Sequence, residues 1–327
     1  MFHRELAGAF SISELTLLSG ARNFKAIDRE WRWGMDGRGN ARIIKENVTA
    51  YLFILPQLIF FGLFLVYPVI EGFRLSLFEV SFFDEVFCGL DNYRSLFADP
   101  IFYKAAANTL IMVFWTTIIT VSAGFFIAVS IFDGKPKYIT FIRGSYYIPT
   151  IISMVVYGTI WKWMLNPSFG IIYYILGKFG FHDLNFLGDY RYVLYVLIGL
   201  ICVMNVGQAI VLYVAAMQGI DMTLMESARI DGASRMNIVK SIISPLVKPT
   251  TLYLVVINII GVMKVFVIVN VMTSGGPNYA SSSLMYLCYT EAFKSFNQGR
   301  ASAIGVVMFI ITFFISLIPL RIFRRKE

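Results

Sequence analysis

The sequence predicts an all-α integral membrane bundle. Hydrophobic residues make up 57% of its 327 positions, charged residues only 15%, and the mean hydropathy is +0.69. These values lie outside the range of ordinary soluble domains. Six apolar runs are each long enough, at roughly 20 residues, to cross about 30 Å of hydrocarbon as helices. Strands of a membrane barrel are much shorter, so helices are expected throughout.

The runs predict six transmembrane helices. They cover residues 51–70, 108–131, 142–164, 192–217, 251–272 and 302–320. Lysine and arginine concentrate before the first run, after the second and fourth, and after the last. Basic flanking segments stay on the cytoplasmic side, so both termini are predicted to be cytoplasmic. The net charge of +8 therefore reflects orientation and contact with anionic lipid, not nucleic-acid binding.

The chain divides into two predicted parts. Residues 1–48 contain no signal-peptide core and are interpreted as a cytoplasmic N-terminal extension, and residues 49–327 form the six-helix membrane domain. Two arrangements of the extension stay open, an interfacial helix with a glycine-rich connector or a solvated tail.

A polar cytoplasmic segment, residues 221–249, separates the fourth and fifth runs. Thr223 and Glu226 have the spacing of a capping box, which predicts a helix beginning near Leu224. Gly232 can adopt the positive φ that ends such a helix. The segment is therefore predicted to start with a short, well-bounded helix.

A second short helix is predicted after this turn. Ser234 is its expected N-cap, and Pro245, which lacks a backbone N–H, is expected to end or kink it. The segment reads as helix, turn, helix on the cytoplasmic face.

The residues of this segment resemble a known signature. Glu226-Ser227-Ala228, Gly232 and Ile242-Ile243-Ser244-Pro245 are similar to the "EAA, G, I-x-L-P" pattern in permease subunits of ATP-binding-cassette importers, where it also lies between the fourth and fifth of six spans. Stretches such as "LDNYRSLFADPIFYKAAANTL" and "VFVIVNVMTSGGPNYASSSLMYLCYTEAF" look like the sugar-permease branch, including permeases for malto-oligosaccharides. Ser227, Ser244 and Asp221 depart from the usual alanine, leucine and proline.

The resemblance implies an ATP-driven importer of a sugar or oligosaccharide in the bacterial cytoplasmic (inner) membrane. Its partners would be a second homologous permease, two cytoplasmic ATP-binding subunits that hold ATP and Mg, and an extracytoplasmic solute-binding protein. No cofactor is expected on this chain. The first short helix would seat in a cleft of the ATPase, and the residues implied in that coupling are Glu226, Ser227, Ala228, Arg229, Asp231, Gly232 and Ala233.

Polar residues inside the apolar runs predict a translocation path. The candidates are Asn205, Gln208, Asn258, Gly261 and Lys264. An unpaired lysine at the centre of a span costs roughly 2.5 to 3.5 kcal/mol, so Lys264 should face a partner, water or substrate. Asn258, Gly261 and Lys264 repeat every three residues and would share one helix face.

Lys264 stands where relatives in the sugar-permease branch usually have a neutral polar residue such as glutamine. A buried ammonium favours an anionic solute, which raises an acidic oligosaccharide, such as a uronate, above a neutral one. A salt bridge to the partner permease, or snorkelling to the outer interface, is the alternative.

The sequence contains no catalytic or metal-binding constellation that we can assemble. The motif "DGKPK" at Asp133–Lys137 lacks the first glycine and the hydroxyl of a phosphate-binding loop, so this chain is not expected to hydrolyse ATP. A bridge between Cys88 and Cys288 is conceivable, although free thiols are favoured. An ion-coupled secondary transporter of a polar solute is the alternative function, but it needs carboxylates in the spans, and the six cores contain none.

Overall fold

A computed structural model describes residues 51–80, 84–180 and 184–324. The predicted N-terminal extension, residues 1–48, lies outside the described residues, and its boundary stays a prediction. Contacts within the chain divide it into two units, residues up to Ile70 and residues from Glu71 onward.

The described residues form helices and one small hairpin. In chain order they are α1 (Tyr51–Leu75), β1 (Phe78–Val80), β2 (Glu85–Phe87), α2 (Asp91–Phe97), α3 (Pro100–Ile131), α4 (Pro136–Ile151), α5 (Met154–Met164), α6 (Ile171–Lys178), α7 (Val193–Gln218), α8 (Met222–Ile230), α9 (Arg235–Leu246), α10 (Lys248–Met263), α11 (Val267–Met272), α12 (Leu284–Phe293) and α13 (Gln298–Arg324).

The predicted helical membrane bundle is confirmed, with four continuous spans and two bent pairs of helices that bring the number of spans to as many as six. Among the described residues, α1, α3, α7 and α13 are continuous helices long and apolar enough to cross a membrane. Two pairs of helices meet the same test only together: α4 and α5, bent by 94°, and α9 and α10, bent by 65°. The first pair covers the third predicted span, whereas in the second pair only α10 falls within the fifth predicted span, residues 251–272. The all-α class holds, and β1 with β2 adds a short antiparallel hairpin in which Phe78 lies opposite Phe87.

The third span is not the straight helix predicted over residues 142–164. Pro149 lies inside α4, where it has no N–H to donate to the preceding turn. Ile152 and Ser153 then adopt extended backbone, with ψ of 137° and 132°. The 11 residues of α5 reach only about 16 Å, too short to span the bilayer alone.

The fifth predicted span, residues 251–272, is also interrupted. Helix α10 ends at Met263, and Lys264 is its C-cap with φ −93° and ψ 11°. The N–H of Val265 bonds to the carbonyl of Val262 at 3.0 Å, and the Ser283 hydroxyl donates to the Val265 carbonyl at 2.7 Å. The backbone freed by the break is therefore satisfied within the protein, as a membrane interior requires.

All three cysteines are free thiols. The conceivable bridge between Cys88 and Cys288 is not formed. The Cys88 sulfur lies 3.4 Å from the Leu77 carbonyl, and the Cys288 sulfur lies 3.4 Å from the Ala301 carbonyl. Burial raises the pKa of the Cys288 thiol, which keeps it protonated.

Helix α7 is the centre of the packing, with α3 and α4 against it. A Cβ added at Gly207 would collide with the backbone carbonyl of Tyr146 in α4, and one at Gly124 in α3 would collide with Ala209. Membrane helices associate through this kind of close approach, because lipid supplies no hydrophobic drive between them. Small residues therefore decide where α7 meets its neighbours.

Two apolar clusters lie along α7. The outer cluster includes Met112, Leu197, Met263 and Leu284. The inner, cytoplasmic cluster is built from residues of α3, α4, α7, α8, α9 and α10, and it includes Ile210, Tyr213, Met217, Met225 and Ile243. The polar cytoplasmic segment is thus packed into the core by its apolar residues.

We expect Gly207→Ala to destabilise the bundle by about 1 to 3 kcal/mol, because the added methyl forces α7 away from α4. Thermal unfolding in detergent measures the change. Gly199→Ala is the matched control in the same helix, since nothing lies within 4 Å of the added Cβ and stability should stay equal or rise. Equal losses in both variants would contradict the close-approach account.

Candidate functional site

Helix α8, at the centre of the polar cytoplasmic segment, begins two residues earlier than predicted. Its N-cap is Asp221, whose carboxylate accepts the Thr223 backbone N–H at 2.9 Å. The predicted capping box of Thr223 is therefore wrong, because Asp221 already occupies the position that accepts the free N–H groups. This hydrogen bond also holds the pKa of Asp221 below its usual range.

The end of α8 is confirmed as predicted. Gly232 has φ +80°. The Gly232 N–H bonds to the Arg229 carbonyl at 3.1 Å, and the Ala233 N–H bonds to the Ala228 carbonyl at 2.9 Å. These two bonds form a Schellman motif, which satisfies carbonyls that the helix leaves free.

Helix α9 is capped by Ser234, as predicted, whose hydroxyl accepts the Asn237 N–H at 3.3 Å. A π-helical turn, Val239–Ile243, precedes Pro245. The bend falls at Val247, with φ −91° and ψ 4°, instead of at the proline. The wider turn has already changed the bonding pattern that a proline disrupts in a regular helix.

Asp133 holds α8 and α9 against the end of α3. Arg229 contacts its carboxylate at 3.0 Å and Arg235 at 3.7 Å. Arg235 also donates to the Val129 carbonyl at 3.0 Å. These side chains are partly exposed, so each pair adds little free energy, but together they fix the orientation of the segment.

One face of α8 points into the bundle. Met225 is 2% exposed within the inner cluster, and Ala228 and Ala233 pack half-buried against it. A cavity of about 230 Å³ lies beside Ala233 and Arg229. Of the residues proposed to contact an ATPase, Ala228, Arg229 and Ala233 therefore contact the chain's own bundle.

The opposite face of α8 is open. Glu226, Ser227 and Asp231 are exposed there, together with Thr223. Ile230 stands among them with 85% of its surface exposed. We call these five residues the docking face. Sequence reasoning missed Ile230, although its position about 140° around the helix from Met225 indicates an apolar residue on the polar side.

Asp133 was also missed, because "DGKPK" was examined only as a phosphate-binding loop. One signal in the sequence could have identified Asp133: it is an acidic residue among the basic residues of a predicted cytoplasmic connection. Two arginines in residues 221–249 needed a counter-charge, and Asp133 supplies it.

The three residues predicted to share one polar face of α10 have different surroundings in the structure. Asn258 is half-buried, and its carboxamide oxygen accepts the Thr117 hydroxyl at 3.3 Å across to α3. Gly261 and Lys264 are exposed, and nothing lies within 4 Å of a Cβ added at Gly261. The open side of α10 continues through Ile257, which is 41% exposed. Gly261 and Lys264 can therefore face a solute, whereas Asn258 joins two helices.

Lys264 lies at the outward end of α10. The helix has 16 residues and rises about 24 Å from the cytoplasmic side. No other described residue forms a hydrogen bond or ion pair with its ammonium. On α7, Asn205 is half-buried and Gln208 is exposed, and no hydrogen bond links either to Lys264. The exposed Lys264 ammonium therefore places an unpaired positive charge on this surface within the described part of the chain.

A charge cluster on the outward side ties three elements together. Arg300 of α13 pairs with Asp99 at the start of α3 and lies 3.5 Å from Glu291 of α12. The three side chains are 16 to 20% exposed. An outward cavity of about 470 Å³ lies beside Asp99 and Glu291 and is lined by Asn278 and Lys294.

Residues 95–327 match the protein family described as "Binding-protein-dependent transport system inner membrane component". The probable ABC transporter permease protein YurN of Bacillus subtilis (strain 168) is 33% identical over 285 residues, which cover 86% of this chain and 97% of YurN. The arabinooligosaccharides transport system permease protein AraP of the same strain is 29% identical over 279 residues, with 85% and 89% covered.

A solved structure has the same fold. It is described as a bacterial ABC transporter involved in the import of the acidic polysaccharide alginate. One of its chains superposes with a TM-score of 0.78 at 24% identity, covering 88% of this chain and 98% of that chain. The likeness confirms the arrangement of helices.

We expect Gly232→Ala to loosen the last turn of α8, because an L-residue with a left-handed backbone costs about 1 to 2 kcal/mol. Amide hydrogen exchange in α8 should accelerate roughly 5- to 30-fold. Gly219→Ala is the control, since Gly219 ends α7 with φ −81° and its added Cβ meets only ordinary contacts. Unchanged exchange in Gly232→Ala would exclude the proposed role of the turn.

Proposed function

The chain belongs to the family of binding-protein-dependent transport system inner membrane components, and we propose that the solute it translocates is an acidic oligosaccharide. It is a multi-pass permease of the ABC sugar importers in the inner membrane. The observation that carries the proposal is the exposed ammonium of Lys264, which has no carboxylate partner within the described parts of the chain. Because the chain belongs to this family, the alternative function of an ion-coupled secondary transporter is excluded.

Lys264 supports an anionic solute for a physical reason. An ammonium at membrane depth is costly unless water or an opposite charge faces it. A uronate carboxylate would supply that charge while passing, and the adjoining Gly261 leaves room for a sugar ring. AraP is described as a permease for arabinooligosaccharides, which supports the sugar class. The structural neighbour shares the fold, so the preference for acidic sugars rests on Lys264.

The docking face of α8 suits a cytoplasmic ATPase. An exposed isoleucine inside a polar rim is the arrangement of a protein–protein hot spot. Glu226 and Asp231 can make charged contacts around Ile230, while Arg229 and Met225 hold the helix to the bundle. We propose that two ATP-binding subunits, which bind ATP and Mg, act on this chain and on a second homologous permease.

The outward cavity beside Asp99 and Glu291 is the proposed contact region for the solute-binding protein. Its loop carries Gly275 with φ +78° and Asn278 with φ +45°. The Arg300 charge cluster joins α3, α12 and α13 beside this cavity, which Asp99 and Glu291 line together with the loop. A solute-binding protein docked at this cavity would therefore press on α3, α12 and α13, which are helices of the bundle.

Lys264→Gln should lower uptake of an acidic oligosaccharide by about tenfold, or about 1.4 kcal/mol, while uptake of a neutral one is unchanged. The measurement is ATP-dependent uptake into proteoliposomes that contain the assembled transporter and its binding protein. Lys264→Arg keeps the charge and serves as the control. A parallel change for both solutes would refute the acidic preference without touching the permease function.

Ile230→Ser should weaken association with the ATPase subunit by roughly 30-fold, because a central apolar contact is lost. Pull-down or surface binding of purified components measures the affinity. Phe179→Ser, at a 75% exposed apolar residue on the outward side, is the matched control and should bind normally. Undiminished ATPase binding by Ile230→Ser would show that α8 docks through another surface.

A further inference from the structure

An open groove lies between the start of α10 and the end of α13, at the cytoplasmic side of the bundle. Its volume is about 540 Å³, within the usual range of ligand sites. Leucines line its deeper part and two cations, Lys248 and Arg321, line its cytoplasmic end. It is separate from the docking face and from the surface around Lys264.

The two helices run in opposite directions, so the groove has a defined order in depth. Leu252 lies one turn outward from Lys248 on α10, and Leu317 lies one turn outward from Arg321 on α13. One turn corresponds to about 6 Å along the membrane normal. The positive charges therefore stand at the interface and the leucines stand within the hydrocarbon layer.

The cations keep donors for a ligand. The Lys248 ammonium donates to the Phe323 carbonyl at 3.0 Å and lies 5.8 Å from the centre of its ring. An ammonium has three donors, so two remain. Arg321 is exposed, and neither a hydrogen bond nor an ion pair joins it to the rest of the described chain. The residues that line the groove include no carboxylate.

We propose that this groove binds an anionic phospholipid of the inner leaflet. The phosphate would lie between Lys248 and Arg321, and an acyl chain would cover Leu252, Leu317 and Leu320. Basic pockets between helices on the cytoplasmic side bind acidic headgroups in this manner. A phospholipid presents its charge at the interface and its apolar part deeper, which is the order of the groove.

The site adjoins the bend between α9 and α10. Val247, where the chain turns by 65°, directly precedes Lys248. A lipid held by Lys248 would brace the first turn of α10 against α13. The lipid would thereby stiffen the connection between the cytoplasmic segment and the membrane span.

The test titrates the full-length chain in neutral detergent with phosphatidylglycerol or phosphatidylcholine and counts retained lipids by native mass spectrometry. Phosphatidylglycerol should bind more tightly. In the Lys248→Gln/Arg321→Gln double variant its affinity should fall roughly fivefold per removed charge, about 25-fold in total. Lys135→Gln/Lys137→Gln removes two exposed cations at the start of α4 and should leave binding unchanged.

Four outcomes would overturn the proposal. One is equal retention of both lipids, and another is equal loss in the control variant. Competition by inorganic phosphate at matched concentration would also count against it, because the site would then take a free anion. As a second measurement, Leu320→Cys in the assembled transporter should react with a lipid-soluble maleimide. Crosslinking of this cysteine to a partner subunit would assign the groove to a protein contact instead.

Discussion

Helix α7 packs against α3 and α4 at positions where one of the two facing residues is glycine. At most a methyl group then lies between the two backbones. Gly124 lies against Ala209, and Gly207 lies against the Tyr146 carbonyl. In lipid, where apolar residues gain little by meeting one another, this contact determines how closely the helices can pack. Its inner half forms the cluster that receives Met225 of α8. The position of the docking face thus follows from the packing of α7, and the position of the solute surface follows from α10 resting on α3.

Ion pairs hold the packed helices together at both membrane surfaces. On the cytoplasmic side Asp133 receives two arginines from the segment between the fourth and fifth spans. On the outward side Arg300 receives two carboxylates from different helices. The two clusters have opposite charge patterns. At Asp133 one carboxylate lies between two arginines, and at Arg300 one arginine lies between two carboxylates. The outer one is the more buried and holds the ends of helices, whereas the inner one orients the segment that carries the docking face.

The sequence predicted the helical membrane class because it depends on apolar length. The orientation, which follows from the placement of lysine and arginine, stays a prediction. The sequence predicted the turn at Gly232 because positive φ is a local property. The sequence did not predict the helix breaks near Ser153 and Lys264. Hydropathy measures how apolar a stretch is and does not report where a helix changes direction. The sequence also did not show that Ala228 and Arg229 contact the chain's own bundle, because a motif records which residues recur and not which way they face. The contacts of Asp133 depend on residues nearly 100 positions apart, which local patterns do not reveal.

The single residue between α9 and α10 has a mechanical meaning. Val247 separates two rigid rods, one packed beneath the docking face and the other about 24 Å long with Lys264 at its far end. A rotation of only about 10° around this pivot displaces the ammonium by about 4 Å, given that length. Such a displacement exceeds the length of a hydrogen bond, so in the proposed function a small tilt would be enough to separate Lys264 from a solute carboxylate. In the proposed permease, a small motion at one membrane surface would therefore be enlarged by the length of α10 before it reaches Lys264.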